Sequence, residues 1–335
     1  MGQAAIAENI SPSPVYHPIS AHYRRLFGCK VYKVGVSVAR DCPVRKVPRP
    51  GQGAEPAAEE NGQCIFCDEW GAASHPERAG LTLAGQVREG RKTLSGRYGA
   101  EKFIVYLQAY TSTFARRSQL RAWLEEALAM EGVVGVALGT RPDCLPDSLL
   151  AMLTEISGQG YVSLELGLQT LDDAQLRFLR RGHDAACSLD ALNRLAGHPR
   201  LDGCAHLMFG LPGETDRQLV QTARIINDSA LTSVKLHNLH VLRGTELENI
   251  YRQGGFQPLE LEEYARRVML FLEHLSPRIA VHRLGAVASR WEDVVAPDWV
   301  REKMGPRQYI LDRMQTAGSW QGKMVVTSGL NQPPG

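Results

Sequence analysis

Short apolar runs of strand length alternate along this chain with longer stretches of helical period, and that alternation narrows the fold more than any other feature. Strand-like runs cover 31–38, 102–108, 133–139, 161–168, 203–209, 232–241 and 278–284. Helical stretches lie between them at 81–98, 117–130, 146–158, 172–196, 214–229 and 259–275. Strands that alternate with helices build a parallel sheet with helices packed outside it. With no dinucleotide glycine fingerprint in the chain, the expected α/β fold is a full or partial TIM-like (β/α) barrel rather than a doubly wound sheet. Residues 1–22 are polar and read as a flexible N-terminal arm, 23–315 as the barrel domain, and 316–335 as a C-terminal tail after a helical extension.

Composition removes several function classes. A net charge of +2 argues against a protein built mainly to coat nucleic acid, although a local basic patch is compatible with it. No apolar run approaches the ~18 residues of a membrane span. The first residues lack a basic start followed by an apolar stretch, and Ile6 stands where a myristoylation site has Ser or Thr. The cytosol is the expected compartment. There, seven cysteines do not make a disulfide framework.

Three of those cysteines cluster. Cys64 and Cys67 form a C-x-x-C pair, and Cys42 lies upstream with 21 residues intervening, across an irregular, Pro- and Gly-rich stretch within 39–80. Loops this long are usually functional or disordered. Two cysteines three apart can turn both sulfurs toward one metal or cluster. Three thiolates on a [4Fe–4S] cube leave one iron without a protein ligand, where the amino and carboxylate groups of S-adenosylmethionine chelate. On the cysteines alone a zinc site completed by His75, or a thioredoxin-like redox pair, stands beside the cluster. Cys29, Cys144, Cys187 and Cys204 are scattered and read as ordinary residues.

In such barrels chemistry sits at the C-terminal ends of the strands. Cys42, residues 108–111, residues 165–170 and the turn 210–214 all fall at such ends. In the fourth strand, Val162, Leu164, Leu166 and Leu168 face the helices. Ser163, Glu165, Gly167 and Gln169 face the interior. A buried carboxylate needs partners, and Lys235 and Arg283 are candidates. His206 lies on the fifth strand. His237 and His240 lie on the sixth, three apart, so that one of them is expected to face inward. Gly182 reads as a helix stop between Arg181 and His183. Arg24, Arg25, Lys30 and Lys33 read as a solvated basic face, with a phosphate-bearing substrate as the other reading.

The order and spacing of several segments resemble the radical-SAM family related to the radical domain of the Elongator catalytic subunit. The segments are residues 23–45, Gly62-Gln63-Cys64-Ile65-Phe66-Cys67, Gln108-Ala109-Tyr110-Thr111-Ser112-Thr113 and Glu165-Leu166-Gly167-Leu168-Gln169-Thr170. Arg181-Gly182-His183-Asp184, His206 with residues 210–215, and residues 236–247 complete the set. The resemblance covers about residues 22–315. It implies a [4Fe–4S] cluster on Cys42, Cys64 and Cys67, and S-adenosylmethionine against Gln108, Ala109, Tyr110, Glu165, Gln169, Gly210, Pro212, Gly213 and Glu214. The implied reaction is reductive cleavage of S-adenosylmethionine to a 5′-deoxyadenosyl radical that takes hydrogen from a substrate, with a flavodoxin or ferredoxin as electron donor. Beyond the cluster ligands it assigns no catalytic residue. The interval from Cys42 to Cys64 is longer than the family's compact loop, and Ala109-Tyr110 replaces the glycines found after the second strand in much of the superfamily. The loop 48–61 is expected to cover the cluster. No acetyltransferase domain follows residue 315 in this sequence, and no second cysteine trio of the methylthiotransferase kind is present. The alternatives are an RNA-modifying radical-SAM enzyme, for which RNA would be the partner, and a zinc-stabilised RNA-binding or adaptor protein.

Overall fold

The computed structural model describes residues 15–39, 41–44, 63–68, 70–71, 75–288 and 290–325. In chain order the elements are α1 (Ile19–Phe27), β1 (Val31–Val36), α2 (Leu83–Tyr98), β2 (Lys102–Leu107), α3 (Arg117–Leu128), β3 (Val133–Thr140) and α4 (Asp147–Ile156). Next come β4 (Tyr161–Gln169), α5 (Asp173–Phe178), α6 (Ala185–Ala196), β5 (Asp202–Phe209), α7 (Asp216–Asp228), β6 (Ser233–Asn238) and β7 (Val241–Leu242). The chain ends with α8 (Glu246–Arg252), α9 (Leu261–His274), β8 (Ala280–Val281), β9 (Val294–Ala296) and α10 (Gly305–Thr316).

Seven strands pair in parallel in the order β1-β2-β3-β4-β5-β6-β8, while β7 and β9 form a separate antiparallel pair. Among the described residues β1 and β8 do not pair, so the sheet curls into a partial barrel rather than a closed one. The outward strand positions, among them Val34, Val105, Val136, Leu164 and Leu236, join Leu120 and Leu124 of α3 and Leu150 and Leu153 of α4 in one continuous core. Five helix starts are set by local capping. Thr82, Asp172, Asp184, Thr215 and Thr245 each accept a backbone N–H in the first turn, and Thr215 completes a reciprocal box with Gln218. Among the described residues no helix is long and apolar enough to cross a membrane.

Three readings shift, and the stop at Gly182 holds. Residues 15–22 are not a loose arm: α1 starts at Ile19 and packs across the N-terminal end of the barrel. Ile19, Tyr23 and Phe27, one turn apart, lie on Tyr161 and Ile104, and Pro18 bridges to Val281 at the far sheet edge. The expected helix 172–196 divides at Gly182 (φ +68°) into α5 and α6, as the glycine itself predicted. The sixth strand ends at Asn238 because the chain then turns to pair β7 with β9. After the sheet the chain stays packed at Ser319 and Gln321, whose side chain bonds the carbonyls of Ser276 and Ile279. Residues 1–14 and 45–62, which include the expected cover loop, lie outside the described residues.

Gly135 of β3 pairs with Tyr161 of β4, and a Cβ there would collide with the Tyr161 carbonyl oxygen. Gly135→Ala should therefore destabilise the chain by about 1–3 kcal/mol, read as a lower urea midpoint. An unchanged midpoint would mean that the two strands separate without cost.

Candidate functional site

A cavity of about 290 Å³ opens at the C-terminal ends of the strands, and Cys42, Cys64 and Cys67 all line it. Cys42 lies just past β1. Its loop is tied to the end of β2 by the Thr111 N–H, which donates to the Asp41 carbonyl (3.3 Å), and Thr111 Oγ1 donates to Cys42 Sγ (3.2 Å). Cys64 and Cys67 share a tight turn in which the Cys67 N–H donates to the Cys64 carbonyl (3.0 Å). That turn is anchored by Ile65, which is fully buried against Leu179, Leu211 and Leu247. Its backbone bonds Leu179 (3.3 Å) and Leu247 (2.8 Å). Cys29, Cys144, Cys187 and Cys204 are not in the cavity wall. Burial pushes the Cys144 and Cys204 thiols up to about 12, which makes them inert.

The surroundings of the three sulfurs suit an anionic group. Arg181 Nη1 donates to Cys64 Sγ (3.3 Å) and Nη2 to the Gly167 carbonyl (2.8 Å). Arg141 lies within electrostatic reach of Cys64 and Cys42 and is fixed by a two-pronged bond to Asp143 (2.9 Å). Arg141 Nη1 and Arg181 Nε are buried with no hydrogen-bond partner among the described residues. Buried donors of this kind call for an acceptor, and an iron–sulfur cube on thiolates carries the negative charge to supply one. Among the described residues no three His, Cys, Asp or Glu side chains could share one metal ion. His75, the candidate fourth zinc ligand, is exposed, bonds Glu77 (3.0 Å) and is not in the cavity wall. Cluster thiolates bind different irons, so they need not converge as closely as zinc ligands do.

Toward the strand centres the cavity reaches Glu165, whose side chain is fully buried. Oε1 pairs with Lys33, and Oε2 accepts from Lys235 (3.0 Å) and His206 (2.6 Å). Burial alone would push this carboxyl up, but Lys235 and Lys33 outweigh it and hold it well below the usual carboxylate range. Burial, then the Lys235 charge, pushes the His206 imidazole down to about 4 against the pull of Glu165, so His206 donates as a neutral ring.

Of the cofactor residues implied by the resemblance, Gln108, Tyr110, Glu165 and Gln169 line the cavity. Tyr110 (φ +56°) and Gln169 (φ +66°) hold left-handed backbone, a strain common at functional sites. Ala109 is buried but outside the cavity wall, and the turn 210–214, with Pro212 and Gly213 exposed, is outside it too. There Glu214 turns back to accept the Gly210 N–H (2.9 Å) and pairs with Arg267 (2.6 Å), so local bonds occupy its carboxylate. His237 and His240 both line the cavity, with stacked rings 5.3 Å apart, because His240 lies beyond the end of β6 and strand alternation no longer applies. Lys33, read as solvated, points inward. The signal was available, since Val34 and Val36 on the same strand face the core. Sequence reasoning gave no role to Arg141 or Thr111, and Arg283 entered only as a possible partner of Glu165.

The depressed histidines set a pH dependence. His206 and His240 ionise near 4 in the folded chain against 6.5 when unfolded. The unfolded state therefore binds more protons between those values. Stability from these groups is full above pH 6.5 and is lost as the pH falls toward 4. Urea titrations across this range should show stability falling with acidification, by up to about 1.4 kcal/mol per pH unit per histidine. His206→Asn should flatten the slope; an identical slope in the variant would contradict the assignment.

Comparisons with known proteins bear on the family and the fold. A family model described as the Radical SAM superfamily matches residues 61–226, and one described as the Radical_SAM C-terminal domain matches 231–316. YtqA of Bacillus subtilis is 32% identical over 308 residues, which is 92% of each chain. Human Elongator complex protein 3 is 29% identical over 143 residues, 41% of this chain and 25% of that protein. The solved structure of Methanocaldococcus infernus Elp3 with residues 1–46 deleted aligns with a TM-score of 0.65 at 16% identity. That alignment covers 87% of this chain and 64% of the other, and it supports the fold.

Proposed function

From the premise that this chain belongs to the radical SAM superfamily, we propose that it is an enzyme that holds a [4Fe–4S] cluster on Cys42, Cys64 and Cys67 and binds S-adenosylmethionine beside it. When bound and reduced, the cluster supplies the electron that splits S-adenosylmethionine into methionine and a 5′-deoxyadenosyl radical able to take hydrogen from a substrate. The observation that carries this reading is the meeting of three cysteines, from two separate loops, in one cavity beside two buried guanidinium groups with unfilled donors.

The chain's own residues do the rest. Thr111 and Arg181 donate to the sulfurs of Cys42 and Cys64 and fix their direction. Gln108, Tyr110 and Gln169, at the ends of β2 and β4, offer polar groups to the nucleotide and methionine portions. Glu165 holds Lys235 and His206 in place beneath them, and Phe66, Met208 and Leu239 supply apolar wall that excludes water. An external one-electron donor such as a flavodoxin or ferredoxin completes the reaction.

Protein purified without oxygen should be brown and carry about four irons per chain, measured by iron and sulfide analysis with the visible spectrum. Cys42→Ala, Cys64→Ala or Cys67→Ala should each bleach it, whereas Cys144→Ala, Cys187→Ala and Cys204→Ala should not. A colourless protein with one stoichiometric zinc would sink the proposal.

A further inference from the structure

Away from the cysteines, the cavity holds more fixed positive charge than the chain balances. Both oxygens of Glu165 are committed to Lys33, Lys235 and His206. Arg283 adds a guanidinium in the same wall. Its position is rigid. The chain after β8 runs along β6, with the His282 N–H on the Val234 carbonyl (2.8 Å), the Leu236 N–H on the Arg283 carbonyl (3.2 Å) and the Ala286 N–H on Asn238 Oδ1 (2.8 Å). Arg283 Nε donates to the Leu236 carbonyl (3.2 Å). Among the described residues its two Nη groups meet no acceptor, and no carboxylate lies within ion-pair distance.

The other arginines of the cavity differ. Arg141 has Asp143, Arg290 has Asp68 and Asp293, and Arg181 has Cys64 and Gly167. Lys235, His237 and His240 all feel the Arg283 charge. Burial pulls the guanidinium down from its usual range, and Tyr106, Tyr264 and Glu165 offset that only in part. Arg283 is half-buried in the cavity wall, and an Arg fork that is already held in place matches an oxyanion in two-pronged geometry.

We propose that Arg283, flanked by Lys235 and His237, is an oxyanion subsite for the substrate, which presents a carboxylate or a phosphate to this guanidinium. This rests on the reading of the cavity as the S-adenosylmethionine site. The amino-acid end of that cofactor would belong with the cluster on the three cysteines, whereas Arg283 follows β8 and bonds the Leu236 carbonyl of β6. The molecule brought to the cofactor is thus anchored by its charged end, with a neutral carbon left toward the site of hydrogen removal.

The test is a titration of the purified protein, at whatever iron content, with inorganic phosphate and separately with acetate. Ionic strength is held constant with chloride, and the melting midpoint is the readout. At least one anion should raise the midpoint with saturation, and the one that does so names the group. Arg283→Gln should weaken that anion about tenfold or more. Arg283→Lys keeps the charge but not the fork and should recover only part. Iron content equal to wild type shows that both variants fold. Equal shifts in wild type and Arg283→Gln, or no saturable shift with either anion, would overturn the subsite. So would a loss of S-adenosylmethionine affinity in Arg283→Gln by equilibrium dialysis, since the guanidinium would then serve the cofactor. A failure to load iron would instead defeat the proposed function, and the anion titration would still be readable.

Discussion

The barrel interior depends on one carboxylate. Glu165 sits at the middle of the central strand β4, fully buried, and joins Lys33 of β1 to Lys235 of β6 across the lumen. No hydrogen-bonded pairing closes β1 onto β8 among the described residues, so this ion cluster spans the interior of an open sheet. Removing one partner from a buried charge cluster usually costs about 3–5 kcal/mol, because the others stay buried and uncompensated. Helix α1 adds a second link from beneath. Its Pro18 end bridges to Val281 while His22 bonds Asp202 at the start of β5 (3.3 Å). Together they tie the edges of the open sheet to its centre.

On that frame the two cysteine segments are fixed by different means. The Cys64–Cys67 turn is held by apolar burial of Ile65 and by Arg181, and the Cys42 loop by backbone and hydroxyl bonds to Thr111. The cavity between them is asymmetric. Arg181 and Arg141 lie beside the sulfurs, and His206, Lys235, His237 and Arg283 add a polar group of their own to the lining.

Much of this was legible in the sequence because it rests on local patterns. Alternation in β4 put Glu165 inside, C-x-x-C with Cys42 marked three cysteines that line one cavity, and Gly182 marked the break between α5 and α6. What escaped depends on distant pairing. Lys33 looked like part of a basic face because Arg24, Arg25 and Lys30 precede it, although its own strand alternation points it inward. The turn 210–214 looked like a cofactor contact by resemblance, but the chain spends Glu214 on Gly210 and Arg267, and the 267 partner lies on a helix 53 residues away. Arg283 carries no motif at all. Its meaning comes from the acceptors it lacks, which only the assembled cavity reveals.

The central claim is that the cavity performs reductive cleavage of S-adenosylmethionine, and the most direct measurement is the amount of 5′-deoxyadenosine formed when the iron-loaded protein is reduced without oxygen and given S-adenosylmethionine. The account predicts 5′-deoxyadenosine and methionine in equal amounts from the wild-type chain, and neither from Cys64→Ala carried through the same reconstitution. A fully iron-loaded protein that returns S-adenosylmethionine intact under reduction would contradict it.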